Sequence, residues 1–227
     1  MKKIIFLLTF IFASSSAFSQ YCTFYEFEAK NPEMVVSTLS QIMSTDWAKS
    51  INGSKSLFQY AFDGNNQDTH VMQFCFPDEE SLEQFMTSVQ SSPMIQLLSE
   101  KLNSHINGVS EWLGTPAWYQ NDWSNDQVFM VWEMEVSDAT TYANAFVPFA
   151  KKMMSKMNMT NSMGLGFPIL GQDGFSHFVW AGAPDVSSAL KRVREIYSDA
   201  DFSKFSKQVS GIREIKNTKL MIRVMDF

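Results

Sequence analysis

The sequence predicts an α+β chain that runs one plan, strand, helix, two strands, helix, strand, twice over, and three observations carry the prediction. The first is a repeat. Thr69-His70-Val71-Met72-Gln73-Phe74-Cys75-Phe76-Pro77-Asp78 returns 107 residues later as Ser176-His177-Phe178-Val179-Trp180-Ala181-Gly182-Ala183-Pro184-Asp185, and the same offset sets Glu26 and Glu28 against Glu133 and Glu135, Gly64 against Gly171 and Ser81 against Ser188. The second is period-two alternation at matched places, the pattern of a half-buried strand. The third is a short polar residue that can cap a helix, standing just before each run of apolar residues at helical spacing.

In order along the chain, Thr23 to Ala29 alternates, with Tyr25, Phe27 and Ala29 on one face and Phe24, Glu26 and Glu28 on the other; Met130 to Val136 alternates in step. Asn31 offers an N-cap with Pro32 at the first helical position, ahead of Met34, Val35, Leu39, Ile42 and Met43; Asp138 is the cap in the second copy. Leu57 to Phe62 reads as a second strand. Asp63-Gly64-Asn65-Asn66 then turns the chain into a third, His70 to Phe76, as Gly171-Gln172-Asp173-Gly174 does in the second copy. Asp78 caps a helix carrying Leu82, Phe85, Met86 and Val89, and Asp185 one carrying Ala189, Leu190, Val193, Ile196 and Tyr197. A further helical segment is expected in each half, over Ile95, Leu98, Leu102 and Ile106 and over Phe202, Phe205, Val209 and Ile212. Each half closes on an extended run, around Trp112 to Tyr119 and from Lys219 to Phe227.

Lys2-Lys3, the apolar run Ile4 to Ala13 and the small residues to Ser19 predict a secretory signal peptide over residues 1–19, cleaved before Gln20. The remaining divisions are a first unit at 20–119, a polar linker at 120–126 and a second unit at 127–227. Outside the leader no apolar run reaches the ~20 residues needed to span a membrane, so the expected location is secreted or periplasmic. The formal net charge of −6 argues against nucleic-acid or anionic-membrane partners, which need a basic surface. Two cysteines, Cys22 and Cys75, in an exported chain predict one disulfide, the alternative being two buried free thiols.

The element order in each half is the ferredoxin-like βαββαβ pattern. Two such units in tandem resemble the dimeric α/β-barrel superfamily, in which two sheets face one another to form an α/β barrel. That superfamily includes small cofactor-independent monooxygenases and relatives of chlorite dismutase and of dye-decolorising peroxidase, so the resemblance implies a fold more than an activity. In the ferredoxin-like arrangement the first and third strands are adjacent and antiparallel. Cys22 then lies opposite Cys75, where a cross-strand bridge is possible.

With that register, Phe24, Glu26 and Glu28 share a face with Val71 and Gln73, and in a barrel this face looks inward. Glu26 and Gln73 then approach Glu133, Phe178 and Trp180 of the other half. Glu26 and Glu133 are the candidate catalytic residues, since a buried carboxylate has a raised pKa and can serve as a base. The plainer reading is that they are solvated near strand ends or paired with Arg223 or Arg213. Gln73, Phe178 and Trp180 are the candidate ligand-binding residues.

His70 and His177 recur but fall on the helix-facing side, and His105 lacks a partner. No H-E-x-x-H or C-x-x-C pattern is present, so neither metal nor cofactor is expected, and for a haem only His177 offers itself. Met153, Met154, Met157, Met159 and Met163 could hold Cu(I), although methionine is also a common filler of helix faces. Gly164-Leu165-Gly166 precedes a strand-like run, not a helix, so it is no phosphate loop. The function expected is an exported protein that binds a small apolar or aromatic ligand between the repeats. The alternatives are a monooxygenase-like or isomerase-like enzyme, and a structural or partner-binding module.

Overall fold

The computed structural model describes residues 20–64, 66–172 and 174–227. The predicted leader at 1–19 lies outside the described residues, as do Asn65 and Asp173 of the two hairpin turns. The first half comprises β1 (Tyr21–Ala29), α1 (Pro32–Met43), α2 (Asp46–Ser50), β2 (Ser54–Phe62), β3 (His70–Phe76), α3 (Glu79–Ser91), α4 (Pro93–Asn103) and β4 (Ile106–Gln120). The second comprises β5 (Val128–Val136), α5 (Ala139–Lys156), β6 (Met163–Leu170), β7 (His177–Ala183), α6 (Val186–Ser198), α7 (Ala200–Val209) and β8 (Arg213–Asp226).

The helices begin where side-chain oxygens can satisfy the first free amides. Asn31, Asp78, Asp138 and Asp185 accept from the backbone N–H groups of Met34, Ser81, Thr141 and Ser188 at 3.2, 2.8, 2.9 and 2.7 Å. The repeated Pro-Asp is thus a helix entry. Gly64 and Gly171 both have positive φ, 58° and 80°, as their hairpin turns require.

The strands pair antiparallel in the order β4-β1-β3-β2 in the first half and β8-β5-β7-β6 in the second. Pairing of β2 with β8 and of β4 with β6 closes the eight strands into one ring, which leaves no open sheet edge. Alternation divides every strand between an interior face and an exterior one. The exterior of the first half packs Phe27, Met72 and Phe74 against Val35, Leu39, Ile42, Phe85 and Ile95 of its helices. The second half packs Met134, Val179 and Ala181 against Tyr142, Phe146, Ala150, Ile196 and Phe205.

One expectation is corrected and two details are added. β4 begins at Ile106 and β8 at Arg213, so Ile106 belongs to a strand and not to the preceding helix. Ladder hydrogen bonding to β1, where Ile106 pairs with Ala29, outweighs a helical spacing that a single apolar residue could satisfy either way. The short α2, with Thr45 as its cap, has no counterpart in the second half, where α5 runs on as one helix of 18 residues. The methionine run is core: Met153, Met154, Met159 and Met163 are buried among the rings of the second helix layer.

Cys22 and Cys75 form a disulfide at paired positions of β1 and β3, with Cα atoms 4.1 Å apart. It closes a sequence separation of 53 residues, for which chain entropy sets a contribution of about 2–4 kcal/mol. The Cys22→Ala/Cys75→Ala double variant is therefore expected to lose stability by about that amount in urea denaturation. An unchanged midpoint would show that closing this loop contributes no net stability and overturn the chain-entropy account.

Candidate functional site

The interior face is where the chemistry collects. β1 contributes Cys22, Phe24 and Glu26, β2 Phe58 and Tyr60, β3 Gln73, β4 Trp112, β5 Phe129, Val131 and Glu133, β7 Phe178 and Trp180, and β8 Lys219 and Met221, each set spaced by two residues along its strand. Together with Phe175 and Trp123 they line a cavity of about 80 Å³. That is well under the roughly 300–1,000 Å³ of sites for drug-sized ligands, so an occupant must be small.

One wall is aromatic. Phe24 and Trp112 stack with centroids 3.9 Å apart, and Phe175 and Phe178 meet the Trp112 ring edge-on at 5.6 Å. The rings fit because β6 carries no side chain beneath them: a Cβ on Gly164 would stand 2.2 Å from Trp180 and one on Gly166 2.5 Å from Phe178. Trp180 is also held by its indole N–H donating to Ser162 Oγ at 3.2 Å. The polar connection around 120–126 adds Trp123, whose ring lies 5.9 Å from that of Trp180. Its Asp126, wholly buried, accepts from Asn161 and from the Ser162 backbone.

The opposite end is charged. Lys219 Nζ lies 2.9 Å from Glu133, 3.3 Å from Glu26 and 3.7 Å from Asp63, and all four side chains are at least nine-tenths buried. The Tyr60 hydroxyl donates to Glu26 at 2.7 Å, its ring lies 5.0 Å from the Lys219 ammonium, and Asn217 donates to Asp63 at 2.8 Å. Burial pushes the carboxyl groups of Glu133 and Asp63 above their ordinary range, against the pull of Lys219. Burial alone would weaken the Lys219 ammonium, but the surrounding carboxylates outweigh it and hold its pKa above the usual lysine value. The Tyr60 phenol is raised well above normal by burial and then by the charge of Glu26.

The structure places Glu26, Gln73, Glu133, Phe178 and Trp180 on the wall of this one cavity. It corrects the plainer reading of the carboxylates: they are neither solvated nor paired with arginine. Arg223 lies over Phe58 and Phe129 and bonds Asp226, Ser56 and the carbonyls of Trp123 and Asp126, while Arg213 stacks on Phe205. Lys219 and Trp112 are among the inward residues that sequence reasoning missed. They occupy equivalent register positions, opposite Val131 and Phe24, so the repeat itself pointed at this pair. The chemical difference between them is what makes one end of the cavity aromatic and the other ionic.

His70 and His177 recur for a structural reason. Thr69 and Ser176 accept from the backbone N–H groups of Ala29 and Val136 at 2.9 and 2.8 Å and contact Nδ1 of the following histidine. The two imidazoles pack outward, near Phe27 and Tyr142, and burial lowers the pKa of each.

No protein-family model matches the chain, and no curated protein matches it by sequence. Solved structures do resemble it. An anthrone oxidase-like protein superposes with TM-score 0.61 at 9% identity, covering 92% of this chain and 93% of its own. A protein of Lactobacillus acidophilus proposed to be a monooxygenase gives 0.60 at 11% identity, covering 92% and 95%. A haem-binding protein of Thermus thermophilus gives 0.56 at 10%, covering 91% and 92%. The residues here do not suit a haem: among the described residues no histidine lines the cavity, its cysteine is in the disulfide, and its volume of about 80 Å³ is too small for the macrocycle. At such identities the likeness is one of fold, and the chain shares the ferredoxin-like α+β architecture of these α/β-barrel proteins.

Proposed function

We propose that this is an exported protein that holds one small, partly aromatic molecule inside a barrel made from two tandem ferredoxin-like units. The leader-like residues 1–19 and the disulfide support export, and the matched caps, turns and register support duplication of one unit. The observation that carries the binding reading is that the cavity wall has polar groups with no protein partner. The Trp112 indole N–H is buried without an acceptor, and among the described residues the Gln73 amide, which also faces the cavity, makes no hydrogen bond within the protein. A buried donor left unpaired costs about 1–3 kcal/mol, a penalty that a ligand bearing an acceptor removes.

Native mass spectrometry of protein from its own host tests the reading by looking for a retained small molecule. Titration with monocyclic phenols and benzyl alcohols, followed by tryptophan fluorescence, tests it in purified material. The Gln73→Leu variant is expected to bind about three- to tenfold more weakly, the effect of one hydrogen bond worth about 0.5–1.5 kcal/mol. Unchanged fluorescence and an empty mass spectrum would count against any ligand. An enzymatic reading draws on the raised carboxyl of Glu133, a group able to take a proton from a bound molecule. It separates from simple binding by chemical change of the retained molecule.

A further inference from the structure

The ionic end of the cavity is short of positive charge. Counted with ordinary charges, Glu26, Glu133 and Asp63 set three negatives around the single ammonium of Lys219. Asp68, from the connection between β2 and β3, adds its field to the same group and is itself raised by burial and by Glu26. Neither Arg223 nor Arg213 relieves the excess, because Arg223 is engaged at the other end of the barrel with Asp226 and backbone carbonyls, and Arg213 packs outside on Phe205. A buried excess of like charge is costly unless a proton or a further cation joins it.

The remaining walls suit a cation as well. Ring faces attract ammonium groups, and Tyr60 already faces the Lys219 ammonium in this way. Trp112, Phe178 and Trp180 offer further rings around the open volume. An anionic ligand would deepen the charge excess, whereas a neutral one would leave it unchanged. The buried Trp112 N–H without a protein partner independently asks for an acceptor on the ligand.

We infer that the ligand is a small aromatic amine, bound as its ammonium ion beside Glu133 and Glu26, with an oxygen acceptor elsewhere on its skeleton. The inference rests on the binding reading above and names its chemical class. The volume of about 80 Å³ limits the skeleton to a single ring with short substituents.

Three probes that share one ring and one phenolic oxygen isolate the charge: 3-hydroxybenzylamine as cation, 3-hydroxybenzyl alcohol as neutral isostere and 3-hydroxybenzoate as anion. Titrated into the full mature chain at neutral pH, the amine is expected to bind at least tenfold more tightly than the alcohol, and the benzoate more weakly than either. Glu133→Gln should cut the preference for amine over alcohol by threefold or more. Glu135→Gln, an equal charge change at an exposed position of the same strand, should leave it intact, and thermal melts of both variants confirm folding. Alcohol binding equal to the amine, tighter benzoate, or equal effects of the two variants would overturn the amine assignment while leaving the binding reading in place. Failure of all three probes to bind would overturn both.

Discussion

Replacing Lys219 by methionine is expected to destabilise the protein by about 3–5 kcal/mol, the cost of removing one partner from a buried ionic group. The variant keeps a similar side-chain volume but leaves Glu26, Glu133 and Asp63 facing one another without the ammonium that lies between them. The pH dependence distinguishes this cause from lost packing. In the intact protein the carboxyl groups of Glu133 and Asp63 are raised, so between the unfolded and the folded pKa the folded state binds protons more strongly than the unfolded chain does. Their contribution is fully present below the ordinary carboxylate pKa and is lost as pH rises through the higher folded values. Without Lys219 the folded values rise further, so the deficit of the variant should be smallest in mild acid and grow toward neutrality. Lys219 itself is also raised, so its contribution in the intact protein persists up to the ordinary lysine pKa and fades as pH climbs through the folded value above it. Denaturant titrations of both proteins between mild acid and neutral pH measure this, and a deficit independent of pH would show that the loss is one of packing.

Gly164→Ala should have a comparable effect through sterics alone. Gly164 pairs with Trp180 across β6 and β7, and its added methyl would stand 2.2 Å from ring carbons of that indole. Trp180 must leave its position and with it the hydrogen bond to Ser162 Oγ. Overpacking of a core typically costs about 1–3 kcal/mol, and the lost hydrogen bond adds about 0.5–1.5 kcal/mol. Shrinking the ring relieves the clash, so the Gly164→Ala/Trp180→Leu double variant should be more stable than the sum of the single changes allows. A double-mutant cycle by urea denaturation reads that coupling directly. Additive effects would show that the glycine is not there to accommodate the indole.

Much of the architecture was legible because it is written in local chemistry. Asn31, Asp78, Asp138 and Asp185 cap helices because a side-chain oxygen before an amphipathic run satisfies the first free amides whatever lies beyond. The inward placement of Glu26, Gln73, Phe178 and Trp180 followed from alternation once Cys22 and Cys75 fixed the register of β1 on β3. Where Ile106 could continue either a helix or a strand, the local signal was ambiguous, and pairing with Ala29 decided it.

The site was only half legible. Lys219 stands in the run Lys219-Leu220-Met221-Ile222-Arg223, where alternation sets two charges on one face and only Leu220 and Ile222 on the other, so the pattern reads the lysine as facing solvent rather than a cavity. Asp63 and Tyr60 lie within the signals for a hairpin turn and its strand, which explain them without a cavity. Gly164 and Gly166 look like a loop until the rings of Trp180 and Phe178 are found over them. By itself the sequence determined the repeated elements, the capped starts of their main helices and the inward faces of β1, β3, β5 and β7, because those depend on neighbours along the chain. Only the tertiary structure decided that β2 meets β8 and β4 meets β6, and with that closure which charges share one enclosed space. Such pairings join residues that no local signal links, as with Ser56 of β2 and Asp226 of β8, and the energy of a buried charge depends on what surrounds it in space.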